Sequence, residues 1–290
     1  MTIKQLLQYS NKIISARLDA EVILSFVINK PKEFIYTYPE HKLTKGQEKK
    51  FVNLIKRRSK GEPVAYLVGK KEFYGRDFFV NKDVLVPRPE TEFLVEECKS
   101  KIAKIQKYKN MRIIAEIGTG SGCIAVTLAK EILDAKIIAT DICEKALKVA
   151  KINARQHKVL SRIKFYKGSL LEPIENQKID ILIANLPYGW NEWNPAVREQ
   201  RGKNNCSMET IGLKFEPSKA LFTEEKGLKL YRLLLEQISE LKDKPKLILF
   251  EIDPRQKNEI KKLTDQILLK FKSSFIKDLA GRVRVIKISM

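Results

Sequence analysis

Soft metal ligands are scarce in this chain. It has two histidines, His41 and His157, and four cysteines, Cys98, Cys123, Cys143 and Cys206, no two of them at C-x-x-C spacing. A structural zinc site needs a tight cluster of such ligands, and a Ser-His-Asp triad needs a well-placed histidine, so the composition disfavours both. The cysteines read as reduced, structural thiols. No apolar run approaches the roughly 18–20 residues that span a bilayer. The polar start, Met1 to Ser10, lacks a signal-peptide core. The expectation is a cytoplasmic protein without membrane contact.

What is present points to a globular chain in two parts. It has 290 residues, 43% of them hydrophobic, enough for more than one core. The formal charge is +21. Such a surface suits a polyanionic partner, including a weak contact with RNA, and equally suits a solvated lysine-rich face.

Residues 1–71 read as helical. Ile3, Leu6, Leu7, Ile13 and Ile14 recur at helical spacing, as do Leu18, Val22, Ile23 and Phe26. Asn29-Lys30-Pro31 and Pro39 interrupt the pattern. A third helix is expected from Thr44, with Gln47 completing a capping box. From Lys49 to Lys71 there are eight basic residues and one acid, Glu62. That face is either solvated or a docking surface. Residues 72–87 are aromatic and β-branched, and predict a β-hairpin linker turned at Asn81-Lys82-Asp83.

Residues 88–290 then alternate. Strands are expected at Arg112–Ile117, Lys136–Thr140, Arg162–Tyr166, Ile179–Ala184 and Lys246–Ile252. Helices are expected at Ser121–Glu131, Glu144–Gln156, Gly227–Leu241 and from Asp253-Pro254 to about Lys270. This order implies an α/β fold with a mainly parallel sheet covered on both faces. Ser274–Lys277 and Val283–Ser289 should close it as an antiparallel hairpin turned at Ala280-Gly281. The long polar stretch 189–217 reads as a lid or substrate loop.

Two stretches carry chemistry. The first is Glu116-Ile117-Gly118-Thr119-Gly120-Ser121-Gly122, where a strand meets a helix and glycines let a ligand approach the backbone. A full dinucleotide fingerprint is absent, because Cys123 stands at the third glycine position, and no P-loop lysine follows. Asp141, at the end of the second strand, either accepts the hydroxyls of a ribose or caps the following helix. Glu116 suits an ammonium group. A nucleoside with an ammonium and no pyrophosphate fits S-adenosyl-L-methionine better than NAD.

The second stretch is Asn185-Leu186-Pro187-Tyr188, directly after a buried strand. An amide or exocyclic amine nitrogen is a poor nucleophile because its lone pair is delocalised. Asn185 Oδ1 and the Leu186 carbonyl can accept hydrogen bonds from such an NH2, Pro187 fixes the turn, and Tyr188 offers a stacking face. Positioning and electrostatics would carry the step.

These features, with Gly61-Glu62-Pro63-Val64-Ala65-Tyr66, Glu72-Phe73-Tyr74-Gly75, Pro87-Arg88-Pro89-Glu90-Thr91-Glu92, Phe215-Glu216-Pro217, Ala220-Leu221-Phe222 and Arg282-Val283, run over nearly the whole chain. Together they resemble the release-factor glutamine methyltransferases, the PrmC/HemK family. The resemblance implies a small helical N-terminal domain that docks the substrate, a hairpin linker and a class I (Rossmann-like) methyltransferase domain. It implies N5-methylation of the glutamine in the Gly-Gly-Gln motif of peptide chain release factors. By position, Glu116, Gly118, Thr119, Gly120, Ser121, Gly122, Asp141, Ser169, Leu170 and Asn185 would hold the cofactor, and Asn185 to Tyr188 the glutamine amide. The family usually has proline at Leu186 and an acid at Ser169. A monomer is expected. The rival reading is an adenine-N6 methyltransferase acting on RNA or DNA, since Asn-Leu-Pro-Tyr also suits adenine amines.

Overall fold

The computed structural model describes residues 1–104, 112–190 and 211–289. Contacts divide these into two compact units: Met1–Lys70 with residues 211–215, and the remainder.

The first unit is built from α1 (Ile3–Asn11), α2 (Arg17–Ile28), α3 (Lys32–Thr37), α4 (Lys45–Ser59) and α5 (Val64–Val68). Thr44 starts α4 with the expected capping box, its hydroxyl accepting from Gln47 N and the Gln47 side chain accepting from Thr44 N. Asn29 ends α2 in the left-handed conformation, and α3 occupies the interval between the two prolines that interrupt the pattern. Leu6, Ile23, Leu24, Phe51 and Ile55 meet in a core of their own. Buried Arg58 is held there by Asp19 at 2.7 Å and by the carbonyls of Gly61 and Glu62.

The hairpin β1 (Lys70–Phe73) and β2 (Arg76–Phe79) turns at Tyr74-Gly75, not at Asn81. Both turn residues have positive φ, 54° and 69°. Two consecutive left-handed residues match the twist of the flanking strands, which makes a two-residue turn the favoured closure. Tyr74 is aromatic and so read as strand. Asn81 forms a separate turn, its side chain accepting from Asp83 N at 2.9 Å.

The second unit holds α6 (Glu92–Lys104), β3 (Arg112–Ile117), α7 (Cys123–Glu131), β4 (Ala135–Asp141), α8 (Glu144–Gln156), β5 (Ile163–Lys167), β6 (Ile181–Ala184), α9 (Lys229–Glu240), β7 (Leu247–Glu251), α10 (Lys257–Ile267), β8 (Lys272–Lys277) and β9 (Val283–Ser289). Its seven-stranded sheet has the order β5-β4-β3-β6-β7-β9-β8. β5 to β7 pair in parallel, and β9 is antiparallel to β7 and β8. Alternate strand residues feed opposite faces. Ile114, Ile137, Ile183 and Leu249 pack with Leu94 and Val95 of α6 and Ala125 and Leu128 of α7. Ala115, Ile138, Leu182 and Phe250 pack with Tyr231, Leu234 and Ile260 from α9 and α10. The sheet order reverses between β3 and β6, so the carboxyl ends of β3, β4 and β6 border one crevice.

Two expected boundaries shift for local reasons. Helix α7 begins at Cys123, because Gly122 before it takes a left-handed φ of 78°. Asp253 caps a short 3-10 turn, Pro254–Gln256, before α10 starts. Most of the stretch 189–217 expected as a lid lies outside the described residues. Among the described residues no helix is long and apolar enough to cross a membrane.

Candidate active site

The glycine turn leaves β3 at Gly118. Gly118 N and Thr119 N both donate to Thr140 O at 2.9 Å, which ties the turn to β4. Gly118, Gly120 and Gly122 all have positive φ, but the need for glycine differs. A Cβ on Gly122 would lie 2.9 Å from Ala150 Cβ, so this glycine lets α8 pack closely. A Cβ on Gly118 would stand 3.1 Å from the Leu186 side chain, while none of the surroundings lies within 4 Å of one on Gly120. Gly120 is therefore the open point of the turn.

Two acids stand at this turn. Asp141 Oδ2 accepts from Gly120 N at 2.8 Å and Oδ1 from Cys143 N at 2.8 Å. It thus bridges the glycine turn and the start of the α8 segment, two residues ahead of that helix's own N-cap position at Cys143. Burial raises its pKa, opposed by those two N–H groups. Glu116 is 1% exposed. Thr119 Oγ1 donates to it at 2.5 Å and Ala125 N at 3.0 Å, both to Oε2, which leaves Oε1 for a ligand. Burial pushes its carboxyl up to about 8, against the pull of those two bonds.

The tetrapeptide follows β6. Asn185 Nδ2 donates to Thr91 Oγ1 at 3.1 Å. The Leu186 side chain is buried in the sheet's second core. Its carbonyl is approached by the Tyr231 hydroxyl at 3.4 Å, a weak contact, since Tyr231 also donates to the Glu251 carbonyl. Tyr188 turns its hydroxyl to Glu251 Oε1 at 3.0 Å, and its carbonyl accepts from Gln256 Nε2 at 3.0 Å.

A cavity of about 460 Å³ joins these parts. Residues 116–121, 140–143, 168–170 and 185–187 line it, with Val84, Pro87, Arg88 and Thr91 on one side and residues 217–220 on another. Of the residues expected to form the site, Glu116, Gly118, Thr119, Gly120, Ser121, Asp141, Ser169, Leu170, Asn185, Leu186 and Pro187 share this wall. Gly122 and Tyr188 do not line it. Leu170 adopts a φ of 47°, and its carbonyl accepts from Thr140 Oγ1 at 3.2 Å, which holds the Ser169-Leu170 bend against β4.

Sequence reasoning missed four contributors. Glu216 accepts from Val86 N at 3.0 Å and from Arg88 at 2.5 Å. Thr91 and Glu251 sit behind Asn185 and Tyr188. Glu251 is 1% exposed and burial pushes its carboxyl up to about 7, with hydrogen bonding from Thr91 and Tyr188 pulling the other way. The Pro-Arg-Pro-Glu-Thr-Glu block was the available signal for Arg88 and Thr91. A lone buried acid ending an apolar strand was the signal for Glu251.

The cavity suits a small ligand by size, since such sites run to roughly 300–1,000 Å³. Its two acids at the glycine turn, Glu116 and Asp141, suit a nucleoside carrying an ammonium; of the two cations that line it, Arg88 and Lys219, Arg88 is paired with Glu216. Among the described residues no cluster of three or more metal-ligating side chains occurs.

A sheet of this order with a glycine turn after β3 and an acid closing β4 defines the class I methyltransferase fold. Residues 107–265 match the family model described as "Methyltransferase domain", and residues 2–69 match "PrmC N-terminal domain". The release factor glutamine methyltransferase of Dictyoglomus turgidum is 38% identical over 280 residues, covering 94% of this chain and 91% of its own. The protein of that name from Bacillus cereus is 32% identical over 272 residues, covering 92% and 90%. The bifunctional methyltransferase of Rickettsia felis is 36% identical over 301 residues, covering 96% of this chain but 55% of its own, so the chain spans about half that relative's length. The chain belongs to the PrmC family of methyltransferases. Among solved structures, the N-terminal domain of human METTL16 in complex with SAH superposes with a TM-score of 0.54 at 13% identity, covering 92% of this chain and 93% of that one; this is a likeness of fold.

Proposed function

We propose that this chain transfers a methyl group from S-adenosyl-L-methionine to the side-chain nitrogen of the glutamine in the Gly-Gly-Gln motif of peptide chain release factors. The observation that carries the reading is the orientation of Asn185. Its NH2 is committed to Thr91 at 3.1 Å, so its Oδ1 is the end left for a substrate NH2. The relatives named for release factor glutamine methylation, at 38% and 32% identity over most of the chain, support the substrate class.

In this reading Asp141 accepts the ribose hydroxyls and Glu116 Oε1 faces the ammonium, while the 118–122 turn brings backbone close to the ligand and Ser169-Leu170 covers the base. Bound there, the cofactor supplies an electrophilic methyl group. The chain's part is to aim the nucleophile. Asn185 Oδ1 and the Leu186 carbonyl accept the two N–H bonds of the glutamine amide, which favours a pyramidal nitrogen with its lone pair free. Pro187 fixes the carbonyl's direction, and Tyr188 locks the loop through Glu251. No strong base is needed before transfer, because the nitrogen becomes acidic only once alkylated; orientation supplies the rate. The Cys123 thiol is no candidate nucleophile, since burial, with the Glu116 charge adding to it, holds its pKa up. The helical residues 1–71 would dock the release factor, residues 72–87 would link, and residues 88–290 would carry the chemistry.

Transfer of label from methyl-labelled cofactor to purified release factor, its Gln→Ala variant and ribosomal RNA tests this reading. Label in the intact release factor alone supports it. Label in RNA alone contradicts it and favours the adenine-N6 alternative.

A further inference from the structure

The hairpin linker and the glycine turn meet on one face of α8. Asn153, Gln156 and His157 stand three and four positions apart, so their side chains leave the helix together. The hairpin sheet has only the strands β1 and β2, so among the described residues the outer edge of β2 has no strand beside it. The face of α8 covers that edge instead. Asn153 Oδ1 accepts from Phe79 N at 2.8 Å, and its Nδ2 donates to Phe79 O at 3.0 Å. Gln156 Nε2 donates to Asp77 O at 3.2 Å, and His157 Nε2 lies 2.9 Å from the same carbonyl. Asn153 also reaches the other way, where Nδ2 donates to Ser121 O at 2.8 Å. It is fully buried, and both protons of its NH2 are committed, one to the hairpin and one to the glycine turn.

Most N–H groups of the turn are already held. Gly118 N and Thr119 N donate to Thr140 O, Gly120 N donates to Asp141, and Gly122 N donates to Thr119 O at 2.8 Å. Among the described residues, Ser121 N alone of the N–H groups from 118 to 122 has no acceptor. Ser121 lines the cavity, so the turn's spare donor belongs to a residue at the ligand's edge. Asp141 fixes the peptide unit before this N–H, and Asn153 fixes the one after it through the Ser121 carbonyl. We propose that Asn153 is a positioning residue for the cofactor: it ties the peptide on which the spare N–H depends to the hairpin linker, and so couples cofactor binding to the order of the hairpin. The proposal rests on the reading of the cavity as the cofactor site. Phe79 does not line that cavity, so a response of its amide to the ligand has to be transmitted. Coupling of this kind is reciprocal: a ligand that settles the turn also steadies the hairpin.

The test uses the full chain labelled with nitrogen-15, with S-adenosylhomocysteine as the probe. Asn153→Leu nearly keeps the volume and removes the three hydrogen bonds. Calorimetry should show it binding the probe at least about tenfold more weakly than the wild type, the effect of losing one net hydrogen bond or more. Gln156→Ala removes one bond of the hairpin edge, leaves Ser121 untouched, and should bind within about twofold of the wild type. Without the probe, the backbone signals of Gly120, Ser121 and Gly122 should move in Asn153→Leu and stay in place in Gln156→Ala. In the wild type, saturating probe should slow solvent exchange of the Phe79 amide about fivefold more than it slows the amides of α10, which separates coupling from general stabilisation. Should Asn153→Leu fail to fold, this wild-type measurement decides alone. A folded Asn153→Leu with wild-type affinity, or a Phe79 amide that responds no more than α10, would overturn the proposal. A wild type that does not bind the probe at all would overturn the cofactor reading, and the proposal with it.

Discussion

Arg88 and Glu216 form a 2.5 Å ion pair across 128 positions of sequence, with the Glu216 side chain 2% exposed. Glu216 also accepts from Val86 N at 3.0 Å. One buried carboxylate thus joins the segment before Thr91 to the segment before residues 217–220, and both border the cavity. Arg88→Ala would leave that carboxylate with a single donor. Breaking a buried pair costs about 3–5 kcal/mol, and the one-third exposure of Arg88 brings the expectation down to about 2–3. Urea denaturation should show this loss. A midpoint equal to the wild type would contradict the bracing role.

Gly227 should tolerate no side chain. Its φ is 83°, and a Cβ would lie 2.0 Å from Tyr188 O and 2.5 Å from Gln256 Nε2. Gly227→Ala therefore pushes on the loop that carries the tetrapeptide. The expected outcome is a destabilisation of about 2–4 kcal/mol together with a loss of turnover larger than the loss of cofactor affinity. Thermal unfolding and calorimetry with S-adenosylhomocysteine check both parts. Wild-type behaviour in both would mean that the Tyr188 carbonyl need not be where Gln256 holds it.

Glu116 gives a pH dependence. An unfolded glutamate titrates near 4.5, whereas in the fold the carboxyl is pushed up to about 8. Between these values the folded state holds the extra proton. Stability from this group is therefore full below pH 4.5, falls as pH rises through the window, and is lost above 8, a difference on the order of 5 kcal/mol. Glu116→Gln can keep both bonds that fall on Oε2. Its stability relative to the wild type should rise from pH 4.5 to 8 and be flat outside. Binding of the ammonium-bearing cofactor should pull the wild-type carboxyl down and release a proton near pH 7. Calorimetry in buffers of different ionisation enthalpy would show that release, and its absence would remove Glu116 from the ammonium site.

Much of this architecture is legible in the sequence. Helix α8 and strand β9 occupy the expected residues because their periodicity is strong and their ends are marked by an acid-rich start and by a Gly turn. The parallel pairing of the strands follows from alternation, whereas their order in the sheet is seen only in the fold. The hairpin turn at Tyr74-Gly75 was hidden because Tyr74 has strand character and only its left-handed backbone reveals the turn. At the site, each end was legible from a local motif, the glycine turn with Asp141 and the Asn-x-Pro-Tyr element. The coupling behind it was not. Thr91 to Asn185 and Tyr188 to Glu251 are contacts across 94 and 63 positions, and a single sequence carries no record of such pairing.

Asn185 and Asp141 should separate cleanly. Asn185→Ala should reduce turnover about 10²–10³-fold, the usual cost of removing one preorganised polar group at the reacting centre, with cofactor affinity within about threefold of the wild type. Asp141→Ala should do the reverse, weakening cofactor binding by at least about tenfold. It loses both a proposed ribose contact and the 2.8 Å bond that holds Gly120. Cofactor calorimetry and single-turnover transfer read the two effects apart. Equal losses of affinity in both variants would contradict the division of labour.

The most direct measurement is mass spectrometry of the Gly-Gly-Gln peptide from a release factor incubated with this chain and S-adenosyl-L-methionine. The expected result is one methyl group on the glutamine side-chain nitrogen with the wild-type chain and, at equal enzyme and time, at least about a hundredfold less with Asn185→Ala. An unmodified glutamine, with methyl groups found instead on adenine in ribosomal RNA from the same reaction, would contradict the proposed function.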